Sequence, residues 1–358
     1  FDLSVCTFWG EGYIAREVEK LGVDVHILGV DPAIRNPRAT VALYRFLSDL
    51  QPDILHSSIA EANFHGAIAG ALAGVPARIV EEVGVPTRSE LAHRIMGAIY
   101  ATTQAVVGVS QATCDYLIER ENAPADRVRR VYNCVRPAFL EEGIEPSLPP
   151  TDRFRVLAVG RLVPVKNHKG FLRAFRRVVD ANPQVELKLA GDGPLRGDLE
   201  ALVEELELGE HVELLGFRDD VRELLASADC FVLPSFSEGL SISLVEALAM
   251  RRPPLVSRVG GNPEVVGKLD DSLLLEPDDT QGWADAILSL AELDAEERAE
   301  IGERARRVVE DYFSPTVYTR TLESLYESRY RATPHRSPSL GDLAEGVKKL
   351  AFPKLASS

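Results

Sequence analysis

Residues 235–250 read Ser-Phe-Ser-Glu-Gly-Leu-Ser-Ile-Ser-Leu-Val-Glu-Ala-Leu-Ala-Met, directly after the apolar run 230–233 and Pro234. A short apolar run closed by proline reads as a buried strand, and the periodic run that follows reads as a helix over 244–250. Glu238 lies in the Gly-containing loop and Glu246 eight residues on, in the first turn of the expected helix. Two readings fit this junction. In one, Ser243 and Glu246 form a capping box, S-x-x-E, and Glu238 is an ordinary loop carboxylate. In the other, both carboxylates face a ligand, because open α/β sheets bind outside the carboxyl ends of their strands. Free N–H groups at the helix start then add an anion-attracting edge.

The same strand–loop–helix unit repeats in both directions. Strands are expected at 3–7, 23–28, 54–56, 78–80, 105–109, 128–132, 155–159, 186–190, 212–215, 230–233, 254–257 and 272–275. Helical patterns lie between them, and a long one runs over 295–330 with a break at Ser314-Pro315. Such alternation builds βαβ units and mostly parallel sheets. Residues 141–152, rich in Pro and acid and without periodicity, read as a linker. The sequence therefore predicts two doubly wound domains on either side of a hinge, with the cleft between them as the expected ligand site.

Composition sets the outer limits. The 358 residues are 45% hydrophobic and 27% charged, as in globular proteins of two domains. A net charge of −15, with no basic stripe among aromatics, argues against nucleic acid as a partner. The four cysteines, Cys6, Cys114, Cys134 and Cys230, share no close spacing, so neither a disulfide framework nor a zinc site is expected. No signal peptide and no run of about 18 apolar residues is present, and a cytoplasmic protein is the expectation. The tail 331–358 holds five Lys/Arg against Asp342 and Glu345. Two readings fit it: a tail or helix (340–350) held on the body, and contact with a membrane face or a partner.

An acidic protein that binds phosphate must gather its cations locally, which draws attention to the loop after strand 155–159. It reads Gly160-Arg161-Leu162-Val163-Pro164-Val165-Lys166-Asn167. Arg161 and Lys166 at a sheet edge suit a diphosphate by charge and by Arg's forked donors. Solvated loop cations, with Asn167 as a plain N-cap, fit too. The next strand ends in Gly191-Asp192-Gly193-Pro194, a poor dinucleotide fingerprint, since the third glycine is missing and Pro194 intervenes. An NAD-dependent oxidoreductase is therefore disfavoured. Strand 212–215 ends in Gly216-Phe217-Arg218-Asp219, where Asp219 is a sound N-cap. Phe217 suits a flat base or the core.

These motifs, taken in order, resemble glycosyltransferase family four. They are Gly160-Arg161-Leu162…Lys166, Gly191-Asp192-Gly193-Pro194, Leu214-Leu215-Gly216-Phe217, Pro234-Ser235-x-x-Glu238-Gly239…Glu246-Ala247 and Gly260-Gly261-x-Pro263-Glu264. Five motifs fall at five successive strand ends over 153–313. The first half is similar to the family more loosely, through 52–56, Val109-Ser110…Tyr116-Leu117 and Val131-Tyr132-Asn133.

The resemblance implies a retaining, nucleotide-sugar-dependent transferase of the GT-B architecture: two Rossmann-like domains facing across a cleft. It implies an N-domain over 1–146, a nucleotide-sugar domain over 151–313, a helix over 314–330 returning to the N-domain, and the tail 331–358. Arg161 and Lys166 would hold the donor's diphosphate. Glu238, with the N–H groups of Gly239, Leu240 and Ser241, would contact the sugar and distal phosphate. Glu246 would accept from the ribose, with Gly191, Gly216 and Phe217 lining the nucleotide side. The donor is a UDP- or GDP-type substrate, so neither cofactor nor metal is implied. The partners would be that donor, a glycan or lipid-linked acceptor, and a membrane face through peripheral contact. Two departures stand out. Residues 1–7 resemble the family's second strand, so the first β–α unit is expected to be missing. Where many members carry a donor-contacting His, this chain has Glu81-Glu82, while His56 and His65 are other candidates. A non-catalytic nucleotide-sugar-binding module of the same fold is the alternative function.

Overall fold

A computed structural model describes residues 1–10, 12–86 and 88–332. The chain divides into two compact units. One comprises Phe1–Val109, Thr113–Arg130 and the chain from Leu322; the other comprises Ser110–Ala112 and Val131–Thr321. The expected helix at 340–350 and most of the basic tail lie outside the described residues.

In the first unit, β1 (Ser4–Thr7), α1 (Tyr13–Lys20) and β2 (Asp24–Ile27) precede α2 (Pro37–Leu50). Then follow β3 (Ile54–Ser58), α3 (Ala60–Leu72), β4 (Ala77–Glu82), α4 (Glu90–Tyr100), β5 (Ala105–Gly108), α5 (Gln111–Glu119) and β6 (Val128–Arg130). Strands β3-β4-β5-β6 form a four-stranded parallel sheet, and β1-β2 a separate parallel pair. Val80 and Val106 pack against Met96, Tyr100 and Leu117, all buried. Burial of both faces makes β5 a continuous apolar run rather than an alternating one, whereas β4 is buried along its length and carries Arg78, Glu81 and Glu82.

The second unit opens with a 3₁₀ turn, Pro137–Leu140. It continues through β7 (Phe154–Val159), α6 (His168–Ala181), β8 (Val185–Ala190), α7 (Arg196–Glu205), β9 (Val212–Gly216) and α8 (Val221–Ala226). Next come β10 (Cys230–Leu233), α9 (Ile242–Ala249), β11 (Pro254–Ser257), α10 (Asn262–Val266), β12 (Leu274–Leu275), α11 (Thr280–Glu292), α12 (Ala295–Tyr312) and the start of α13 (Pro315–Ala332), whose residues from Leu322 belong to the first unit. All six strands are parallel, in the order β12-β11-β10-β7-β8-β9. The order reverses between β7 and β10. Connections leave to opposite sides there, and a crevice opens at the carboxyl ends of these two strands.

The second unit starts earlier than the linker 141–152 suggests. The Val135 N–H donates to the Phe313 carbonyl (2.9 Å), Phe139 is buried, and Arg306 donates to the Phe139 carbonyl (3.1 Å). Val135 and Phe139 anchor this segment in the unit although its sequence carries no periodicity. Among the described residues no helix is long and apolar enough to cross a membrane.

Candidate active site

The switch point is where the sequence-derived residues gather. The loop after β7 turns through a 3₁₀ segment, Pro164–Lys166. The loop after β10 is tied to it: the Phe236 N–H donates to the Val165 carbonyl at 2.8 Å. That contact brings Lys166 Nζ to 2.6 Å from Glu238 Oε1, and Ser235 Oγ donates to the same oxygen at 2.6 Å. Ser235 is itself fully buried, and its carbonyl accepts from Ser257 Oγ on β11 (2.5 Å). The side chains of Lys166 and Glu238 are only 17% and 10% exposed, so the pair is partly desolvated.

Glycines set how closely these loops approach. A Cβ on Gly191 would lie 1.8 Å from the Gly160 carbonyl oxygen; one on Gly260, where φ is +52°, would lie 1.7 Å from that of Glu238. No side chain fits either place, so these positions serve loop-to-loop contact. The Gly191 N–H donates to the Gly216 carbonyl (2.8 Å) and the Gly261 N–H to the Gly239 carbonyl (3.0 Å). The strand-end loops thus form one hydrogen-bonded rim.

Arg161 stands exposed on this rim, and its guanidinium has no partner among the described residues. Phe217, after β9, is 79% exposed, which removes it from the core. Leu240 and Ser241 are buried. The N–H groups of Gly239, Leu240 and Ser241 bond to no acceptor among the described residues. They precede α9, so the positive end of its dipole adds to them.

The capping box does not form. Ser241, in extended conformation, is the N-cap of α9, and its Oγ accepts from the Leu244 N–H (3.4 Å). The helix therefore starts two residues earlier than expected, which moves Glu246 from the first turn to the second. Glu246 is 5% exposed and pairs through Oε1 with Arg136 Nε at 2.9 Å. Burial pushes its carboxyl above the usual range, and Arg136 opposes that rise. It does not touch Lys166 or Glu238. Asn167 sits at the start of α6 in a left-handed conformation, and its side chain donates to the Pro277 carbonyl (2.7 Å) instead of capping. Asp220, not Asp219, occupies the N-cap of α8 and pairs with Arg218.

Sequence reading missed Ser235 as a functional group, although it is part of the quoted Pro-Ser-x-x-Glu pattern. It also missed Arg136, for which no local signal exists. His168, at the start of α6, has its Nε2 3.3 Å from the Arg161 carbonyl oxygen; burial, and secondarily Lys166, lower its pKa to about 4.

In the first unit, Glu82 is committed to structure. It accepts from Arg88 (2.8 Å), Tyr100 (2.7 Å) and Asn63 (3.2 Å). Glu81 is buried, its Oε2 3.7 Å from His56 Nε2, while His56 Nδ1 bonds Tyr326 Oη (2.7 Å). His65 is held by Thr40 and the Pro32 carbonyl. A cavity of about 460 Å³ opens beside Glu82 and Arg88, lined mostly by Ile34, Ile59, Val83, Ile95 and Met96.

A doubly wound parallel sheet with carboxylates and cations at its switch point defines a Rossmann-like, ligand-binding fold. Comparison with known proteins takes the identification further. The family described as glycosyl transferases group 1 matches residues 141–308, and the glycosyl transferase 4-like domain matches residues 1–134. The chain belongs to this family of glycosyltransferases.

The UDP-Gal:alpha-D-GlcNAc-diphosphoundecaprenol alpha-1,3-galactosyltransferase of Escherichia coli is 26% identical over 276 residues, 72% of this chain and 71% of that protein. The N-acetyl-alpha-D-glucosaminyl L-malate synthase of Bacillus anthracis is 36% identical over 162 residues, 45% of this chain and 42% of that protein. The chain thus spans less than half of that second relative. In fold, the chain is similar to HepE of Anabaena, solved in complex with UDP, with a TM-score of 0.77 and 22% identity over 90% of this chain and 92% of that one.

Proposed function

We propose that the protein transfers a glycosyl group from a nucleoside-diphosphate sugar, with retention of configuration, to a glycan or lipid-linked acceptor. The observation that carries this reading is the Lys166–Glu238 pair at the switch point, beside N–H groups and the Arg161 guanidinium that have no partner among the described residues.

In such a transfer the anomeric C–O bond breaks with its electron pair going to the diphosphate, while positive character develops on the sugar. Lys166, Arg161 and the N–H groups before α9 meet the growing negative charge. Ser235 keeps Glu238 oriented toward the sugar when Lys166 turns to phosphate. Glu246 receives the ribose and Phe217 the base. No separate cofactor enters this reading. Retention is supported by the family alone.

The apolar cavity in the first unit suits an acceptor with an apolar portion. The diphosphoundecaprenol acceptor in the name of the Escherichia coli relative supports the same class. A cytoplasmic location, with peripheral contact at a membrane face, accords with such an acceptor.

The test is a panel of UDP-, GDP- and ADP-sugars on the full chain, scored for binding and turnover, with the product's anomeric configuration read by NMR. No binding and no turnover with any donor would overturn the proposal. Tight nucleotide binding without turnover on any acceptor would favour the non-catalytic module.

A further inference from the structure

We propose that Arg136 is a positioning residue of the donor site: it grips one oxygen of Glu246 and leaves the other for the ribose of the nucleotide. This rests on the donor-site reading above.

The contact is built rather than incidental. Glu246 is almost wholly buried, and Arg136 Nε lies 2.9 Å from its Oε1, while Oε2 has no partner among the described residues. The Arg136 guanidinium lies over the Phe139 ring, 4.6 Å from its centroid, and Phe139 is buried. Such stacking fixes the plane of the guanidinium. Phe139 in turn belongs to the 3₁₀ turn Pro137–Leu140. Arg306, 5% exposed, clamps this turn to the helix that carries Glu246 by donating to the carbonyls of Phe139 (3.1 Å), Leu140 (2.6 Å) and Ala249 (2.6 Å). Glu246 is thereby fixed by burial, while the Arg136 side chain, 62% exposed, is held over it by its stack on Phe139. A buried carboxylate with one oxygen held and one open is oriented for a hydroxyl donor.

Among the described residues, Arg136 is also the charged group that faces Glu246. From α12, Arg306 is engaged by those carbonyls and by Glu310. Beyond the end of α9, Arg251 pairs with Glu142 and Glu303, and Arg252 donates to the carbonyls of Met250 and Ala228. The adjoining strands β10 and β11 carry apolar side chains, the buried thiol of Cys230 and the hydroxyl of Ser257. Removing Arg136 leaves Glu246 buried without a counter-charge, and it then holds its proton to higher pH.

The test measures affinity for a nucleoside diphosphate from pH 5 to 8, using whichever base the wild-type protein binds. Arg136→Ala is expected to weaken binding on the order of tenfold near neutrality. Its loss of affinity on acidification should set in at higher pH than in the wild type. Arg136→Lys, which keeps the charge, is expected to restore the wild-type pH profile. In a Glu246→Gln background, Arg136→Ala should add little. Thermal unfolding checks that the variants are folded. A uniform loss at every pH, or tighter binding by Arg136→Ala, would overturn the inference while leaving the donor site standing. If the wild type binds no nucleotide, the donor-site reading itself falls.

Discussion

Lys166 Nζ and Glu238 Oε1 are 2.6 Å apart although 72 residues separate them in sequence, and both side chains are mostly shielded from water. A diphosphate carries more charge than one carboxylate and competes for the lysine, while Ser235 still holds Glu238. Lys166→Ala is therefore expected to lower turnover by about 10²–10³-fold, the scale of one preorganised charge at a leaving group. Stability should fall by only about 2 kcal/mol, for a partly shielded carboxylate that loses one partner. Donor turnover and denaturant unfolding measure the two effects. Matching losses, with turnover falling only as far as the folded fraction does, would make Lys166 a structural residue.

The glycines of the rim supply a second prediction. Gly260→Ala puts a methyl group 1.7 Å from the Glu238 carbonyl oxygen at a left-handed φ, so the two loops must separate. We expect destabilisation of roughly 2 kcal/mol or more, from backbone strain and broken packing together. Gly197→Ala, in α7 with open space around its Cβ, should instead gain up to about 1 kcal/mol. Urea unfolding midpoints compare the two. A rim substitution as mild as the control would mean that the loops are not in contact.

The strands that are short unbroken apolar runs were the most legible, and those at 230–233 and 254–257 match residue for residue. The start of α9 was not. Both Ser241 and Ser243 precede the apolar face, and only the extended backbone of Ser241 decides which one caps. The placement of Glu238, Arg161 and Lys166 in strand-end loops was legible from the alternation of strands and helices. Their partners were not. Arg136 lies 110 residues from Glu246, in a segment without periodicity, and no local pattern encodes that pairing. The Glu82 network was equally hidden. Two adjacent carboxylates on a strand point to opposite faces, and what each meets depends on helices that follow later in the chain.

Two histidines, His168 buried and His56 half-buried, make stability depend on pH. Burial lowers His168 to about 4, as it does His56. An unfolded histidine titrates near 6.5, so between about 4 and 6.5 the unfolded chain binds more protons than the folded one. Stability is then full above 6.5 and is lost progressively as pH falls toward 4, on the order of 3 kcal/mol at most for each residue. His168→Gln should flatten this slope in unfolding free energies taken from pH 4 to 7. An unchanged slope would mean that His168 titrates alike in the folded and unfolded chain.

Phe217 offers the cleanest separation of binding from folding. It is 79% exposed after β9, so Phe217→Ala removes almost no buried surface and should leave stability within about 0.5 kcal/mol. An exposed aromatic on a ligand-facing rim gains burial only when something flat covers it. If that is the base of the donor, stacking is worth roughly 1–3 kcal/mol, and nucleotide affinity should fall by about tenfold or more. Because stacking accepts any base, the loss should be similar for uridine and guanosine diphosphates wherever both bind. Calorimetry on the wild type and the variant measures it. Unchanged affinity with unchanged stability would remove Phe217 from the donor site and place the base elsewhere along the rim.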